Sequence, residues 1–193
     1  MSYTYADAEQ LLHEWVQSES LRKHCLAVST AMRHMARRAG ADEEEWATVG
    51  ILHDMDYEQF PNAGHSPTEE HPAAAVRFLR EHGWPETLCR AILSHADYCN
   101  VPRETPLEKT LYAVDELSGF VTAVTLVRPD KNIASVEAKS VLKKMKDKAF
   151  ARAVNRDDIT RGAAELNMPL EELISEVIAA LRGNAVALGL AGM

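Results

Sequence analysis

Ile51-Leu52-His53-Asp54-Met55-Asp56-Tyr57-Glu58 is the stretch on which the reading of this chain turns. An adjacent histidine and aspartate close an apolar run. The segment that follows, from Asp56 to Glu70, contains Pro61, Asn62, Gly64, Ser66 and Pro67 and reads as a loop. Upstream, Asp42 and Glu45 have the spacing of a capping box, and Trp46, Val49 and His53 share one helical face. Adjacent side chains on a helix diverge by about 100° and cannot grip one ion side by side. At a helix end entering a loop that divergence relaxes, and Asp54, with two oxygens, can bridge two ions while His53 binds one.

Working outward, apolar residues recur at helical spacing almost everywhere and no period-2 run stands out. The pattern predicts helices over Tyr5 to Gln17 and Ser20 to Arg38, the latter with Leu21, Cys25, Val28, Met32 and Met35 facing inward and Gly40 as its stop. Further helices are expected from Pro72 to Gly83, from Pro85 through His95, and from Thr105-Pro106-Leu107-Glu108 to about Val127, closed by Arg128-Pro129. Three more follow near Ser135–Lys148, Asp157–Leu166 and Pro169–Leu188. The expected fold is all-α: a single domain over 1–193, with its core at about 20–128 and additional C-terminal helices at about 129–193.

Composition narrows the class. Of 193 residues, 46% are hydrophobic and 26% charged, ordinary for a globular chain. No apolar run approaches the roughly 20 residues of a membrane span. The N-terminus lacks the basic start and apolar stretch of a signal peptide, so a cytoplasmic location is expected. Cys25, Cys89 and Cys99 form no CxxC pair and read as reduced packing residues. The net charge of −8 is unevenly spread: Arg128 to Arg156 carries +6, leaving −14 elsewhere. An acidic protein is a poor general binder of nucleic acid, whereas a local basic segment suits a small anionic ligand.

Several histidines and carboxylates fall on apolar helix faces. His24 lies with Val28 and Ala31, His53 with Val49, His95 with Ala91, and Asp115 with Leu111. A lone histidine on such a face is usually a core residue with a satisfied hydrogen bond. A mid-helix aspartate is harder to dismiss, because an unpaired buried carboxylate costs several kcal/mol or is forced to protonate. A divalent cation explains several such groups at once, offsetting negative charge and accepting nitrogen lone pairs.

The order His24, His53-Asp54, Asp115 resembles the HD superfamily, named for its adjacent His-Asp pair. His71 and His95 fall where many members place two more histidines, the pattern of those that bind two metals. HDMDYE, SHADY and AVDELSGFVTAVTLVRP, followed by a lysine-rich helix, are similar to small stand-alone bacterial HD proteins known only as predicted hydrolases. The resemblance implies an HD-domain helical bundle and a metal-dependent phosphohydrolase. On this reading His24, His53, Asp54 and Asp115 hold one ion, while His71, His95 and the second oxygen of Asp54 hold another. Asp54 is then the central catalytic residue. Mixed nitrogen and oxygen ligands suit Mn, Fe, Co, Ni or Zn, as one or two ions. Two departures stand out. The lysine of the common HD-x-G-K continuation is missing, and the GYP signature of cyclic-dinucleotide phosphodiesterases is absent.

The expected reaction is cleavage of a small phosphate ester, a nucleotide or sugar phosphate, by a metal-activated hydroxide. The alternatives are a di-iron oxygenase of the same superfamily and a metal-binding module without turnover. Arg22, Lys23, Arg128, Lys131, Lys139 and Lys143 are candidate contacts for the anionic substrate. Asp56, Tyr57 and Glu58 are expected either to line the pocket mouth or to lie in a solvated loop, and Asp97 and Glu116 flank proposed ligands, as groups that orient them or as plain surface charges. His13, His34, His65 and His82 are left outside the ligand set. The oligomeric state is not legible.

Overall fold

The structure is a computed structural model that describes residues 3–192. Among them the regular structure is helical: ten α-helices, two single 3₁₀ turns and one isolated antiparallel bridge between Asn132 and Ala191. None of these helices is long and apolar enough to cross a membrane. The all-α expectation agrees with this architecture. The chain divides into two compact units, Met1–Leu111 and Tyr112–Met193.

The first unit opens with α1 (Tyr5–Trp15), where Thr4 and Asp7 form a reciprocal capping box. Helix α2 (Glu19–Ala39) starts at Ser18 and ends at Gly40, whose φ of 67° is the left-handed cap that glycine adopts without a Cβ penalty. Asp42 caps α3 (Glu43–Leu52), accepting from the backbone N–H of Glu44 and Glu45. The remaining helices of this unit are α4 (Ala73–Glu81) and α5 (Glu86–Ser94). They are followed by the start of α6 (Pro106–Leu126), in which the unit boundary falls. Glu108 caps α6 by accepting from the N–H groups of Glu104 and Thr105, and its other oxygen pairs with Arg90 at 2.8 Å.

Helices α2 and α3 make the tightest pairing of this unit. Cys25, Val28 and Met32 of α2 and Val49, Ile51 and Leu52 of α3 are buried. The Ser29 hydroxyl donates to the Ala47 carbonyl at 2.8 Å and satisfies a polar group inside the contact. Gly50 permits the approach: a Cβ there would lie 2.7 Å from Ser29 Cα and 2.8 Å from its N.

The second unit holds the rest of α6 with α7 (Ala138–Met145), α8 (Arg156–Glu165), α9 (Leu170–Gly183) and α10 (Ala185–Leu188). The helix expected over Ser135–Lys148 is shorter than its pattern suggested. Arg182 donates to the carbonyls of Ile133, Ala134 and Val136, so that backbone is held by a guanidinium instead of a helical ladder. Likewise the Pro169–Leu188 pattern breaks at Asn184, whose φ of −126° is not helical. A Cβ at Gly162 of α8 would lie 2.5 Å from Ala113 Cα, so α8 and α6 also meet backbone to backbone.

Gly50→Ala tests the α2–α3 contact. In an exposed helix the change would gain about 1 kcal/mol of propensity. Here overpacking against Ser29 outweighs it, with an expected net loss of about 1–3 kcal/mol. For a chain of this size that is a fall in melting temperature of roughly 2–12 °C. A rise on thermal denaturation would show that the helices do not meet this closely.

Candidate metal centre

Three of the four histidines around Asp54 sit at helix ends. His53 is the C-terminal cap of α3 and His95 that of α5, and His71 precedes the Pro72 cap of α4. Only His24 projects from the body of a helix, α2. The ends of α3 and α5 orient their own rings. The last four carbonyls of a helix lack helical partners. Gly50 O and Ile92 O, among these orphans, lie 2.8 Å from His53 Nδ1 and 2.5 Å from His95 Nδ1. A carbonyl only accepts, so each Nδ1 carries the proton and each Nε2 presents its lone pair.

Asp54, the first residue beyond the α3 cap, lies among the four rings. Its Oδ2 is 3.5 Å from His24 Nε2 and 3.4 Å from His53 Nε2. Its Oδ1 is 3.5 Å from His71 Nε2 and 3.6 Å from His95 Nε2. The rings stand around the carboxylate, with centroids 5.2 Å apart for His24 and His53, 5.4 Å for His53 and His95, and 5.2 Å for His71 and His95. Asp54, His71 and His95 each offer a ligand atom within 4.8 Å of the others. The donor chemistry, imidazole nitrogen with carboxylate oxygen, fits a divalent transition-metal ion.

Burial would raise the Asp54 carboxyl. The neighbouring imidazoles of His53, His95 and His71 outweigh burial and hold it well below the usual range. Burial pulls His71 down, but its hydrogen bond with Asp56 and the charges of Asp54 and Asp56 leave it raised.

The segment after the pair is more organised than its loop composition implies. Asp56, expected at the pocket mouth or in a solvated loop, is fully buried, with Oδ1 2.7 Å from His71 Nδ1 and Oδ2 2.7 Å from Ala75 N. Glu58 accepts from the N–H groups of Gln17 and Ser18 at the start of α2. Tyr57 is exposed, with its ring edge-on to His71 at 5.0 Å. Asn62 and Tyr98 donate to the His71 carbonyl at 2.7 and 3.1 Å, and the His71 N–H donates to Phe60 O. Burial pushes the Tyr98 phenol upward, which keeps it a neutral donor. The His65 ring stacks on Tyr98 at 4.8 Å, and His82 donates to Phe78 O. Asp97 pairs with Arg103 at 2.8 Å. Sequence reasoning missed the parts played by Asp56 and Tyr98. The signal for Asp56 was a second acidic residue beside a histidine-rich ligand set, where an outer carboxylate commonly orients an imidazole.

The candidate substrate contacts have varied settings. The Arg22 guanidinium donates to the carbonyls of Val16 and His13 at the end of α1, and Lys23 pairs with Glu19 at 2.9 Å. In the second unit Arg128 donates to the Ser135 hydroxyl at 2.8 Å. Lys131, Lys139 and Lys143 are exposed. Asp115 is half-buried on α6, between the buried Leu111 and Ser118 of the same face.

A helical domain that gathers imidazoles around a bridging carboxylate belongs to a class built to hold divalent cations. The HD domain family model matches residues 21–119, more than half of the chain. The chain belongs to the HD family of metal-dependent hydrolases. No curated protein and no solved structure matches it.

A cation bound at His71 Nε2 would compete with a proton there. In metal-free protein its raised pKa contributes stability fully present below the unfolded value of about 6.5 and lost as pH rises through the folded value. The lowered Asp54 value places its own loss at acid pH, outside that window. His71→Gln is therefore expected to remove a decline in melting temperature above about pH 6.5. Calorimetric titration of the wild-type protein with Mn²⁺ is expected to show affinity rising over the same interval, with proton release. A pH-independent affinity there would exclude His71 as a ligand.

Proposed function

We propose that the chain is a phosphohydrolase that cleaves a small phosphate ester, a nucleotide or sugar phosphate, with two divalent transition-metal ions. The observation that carries this reading is the division of Asp54: each oxygen faces its own pair of imidazole nitrogens, at 3.4–3.6 Å. His24, His53 and Asp54 Oδ2 would hold one cation, and His71, His95 and Asp54 Oδ1 would hold the other. Such ions, when bound, supply a nucleophile from water near neutral pH and neutralise phosphoryl charge.

The protein's part is to hold these ligands in one geometry and to keep Asp54 ionised as the shared ligand. Arg22 and Lys23 already have partners. Arg128 likewise serves Ser135, so attraction of an anionic substrate falls to Lys131, Lys139 and Lys143 of the basic segment, through its long-range field. A cytoplasmic location accords with this reading.

A cation at a hundredfold excess over its dissociation constant, bound only by the folded state, stabilises by about 2.7 kcal/mol. The expected gain on adding Mn²⁺ to chelator-treated protein is therefore a melting shift of roughly 5–11 °C. Elemental analysis of protein purified without added metal is expected to find up to two ions per chain. Asp54→Ala should abolish hydrolysis of phosphate esters. Two irons with an oxygen-dependent absorption spectrum and no esterase activity would replace this reading with an oxygenase. No metal and no shift would remove the metal centre altogether.

Reversing the charge of Lys139 and Lys143 together is expected to lower kcat/KM several-fold at low salt and much less at high salt. An unchanged kcat/KM at low salt would return these lysines to ordinary surface.

A further inference from the structure

Asp56 is buried as deeply as any residue of the core, yet it is a carboxylate two positions from the His-Asp pair. A buried carboxylate is costly unless its oxygens are engaged. Each Asp56 oxygen meets one N–H donor: Oδ1 meets His71 Nδ1 and Oδ2 meets Ala75 N, both at 2.7 Å. Ala75 is the third residue of α4, and the Pro72 cap of that helix makes no side-chain hydrogen bond. Asp56 thus supplies from outside the helix the cap that α4 lacks, at the end where the helix dipole favours negative charge. One side chain ties the segment after the His-Asp pair to both the His71 ring and the start of α4.

The three oriented histidines are not held alike. His53 and His95 donate to neutral backbone carbonyls within their own helix ends. His71 donates to a carboxylate that lies fifteen positions away in sequence. A carboxylate partner raises the basicity of the ring's far nitrogen more than a carbonyl does.

We infer that Asp56 is a positioning residue. It fixes the proton of His71 on Nδ1, aims Nε2 at Asp54 Oδ1, and sets the cation affinity of the set formed by Asp54, His71 and His95. The two cation sets are then unequal, and Asp56 contributes to the difference. The affinity part rests on the proposed metal centre, but the orientation part does not.

Asp56→Asn separates the roles. Asparagine has a single acceptor oxygen, so it can satisfy His71 or Ala75 but not both, and its NH₂ must face the other donor. Titration with Mn²⁺ alone is expected to show one of two binding events weakened about 10- to 100-fold and the other unchanged. In chelator-treated protein, ¹⁵N spectra at a pH where His71 is neutral report which nitrogen carries its proton. Wild type is expected to show Nδ1–H, and Asp56→Asn to gain Nε2–H. The wild-type spectrum needs no variant to fold: a neutral His71 protonated on Nε2 in wild type would overturn the inference. So would an Asp56→Asn protein with both the wild-type tautomer and two unaltered Mn²⁺ affinities. Wild-type protein that bound no Mn²⁺ but kept His71 on Nδ1 would refute the proposed function and leave the positioning role standing.

Discussion

A carboxylate inside a helical core is the constraint from which the site follows. Asp54 is largely removed from water, and four imidazole nitrogens stand 3.4–3.6 Å from its oxygens. Burying one charge in such a place requires several compensating groups at once, and no single helix can present them. The solution uses helix ends. α3 and α5 each finish on a histidine, and orphan carbonyls of the last turn accept the Nδ1–H of that ring. Groups that would otherwise need solvent or a cap therefore set the direction of an imidazole.

The segment between α3 and α4 is structural for the same reason. Asp56 bonds His71 and the start of α4, Glu58 bonds the start of α2, and Asn62 bridges the carbonyls of Ser66 and His71. Each bond consumes a backbone group that a loosely packed loop would leave to water. His71 could not be aimed by its own helix, because Pro72 stands between it and α4. Its direction is imposed by neighbours instead: Asp56 on the ring, Asn62 and Tyr98 on its carbonyl, and Phe60 on its N–H.

In the second unit the charge of the basic segment overstates what is available to a ligand. Arg156 donates to the carbonyls of Asp147, Phe150, Ala151 and Val154, and lies over the Phe120 ring. Arg128 serves Ser135, and the Lys144 ammonium sits 4.7 Å from the Phe150 ring. These residues close turns that contain few helical hydrogen bonds. Lys139 and Lys143, exposed on α7, keep their charge in solvent.

Helix existence was legible because a 3.6-residue apolar period, caps such as Asp42 and Glu108, and stops such as Gly40 are local features. The family was legible because His24, His53-Asp54, His71, His95 and Asp115 occur in order, with the His-Asp pair, His71 and His95 beside recognisable helix boundaries and His24 and Asp115 within helices. Helix lengths in the second unit were less so, since the Arg182 guanidinium that competes for the carbonyls at 133–136 lies nearly fifty residues away. The same distance effect hid Asp56. In sequence it is one acidic residue in a polar loop, indistinguishable from Glu58 beside it. Only the tertiary structure turns Asp56 inward to the His71 ring and Glu58 toward α2. A side chain's hydrogen-bond partner depends on which donors the folded chain brings within about 3 Å, and spacing along the chain does not contain that information. The sequence alone determined which residue types were present to bind a cation and roughly where helices begin and end. The fold decided how Asp54 shares its two oxygens, because that requires four imidazoles from four separate segments to meet at one point.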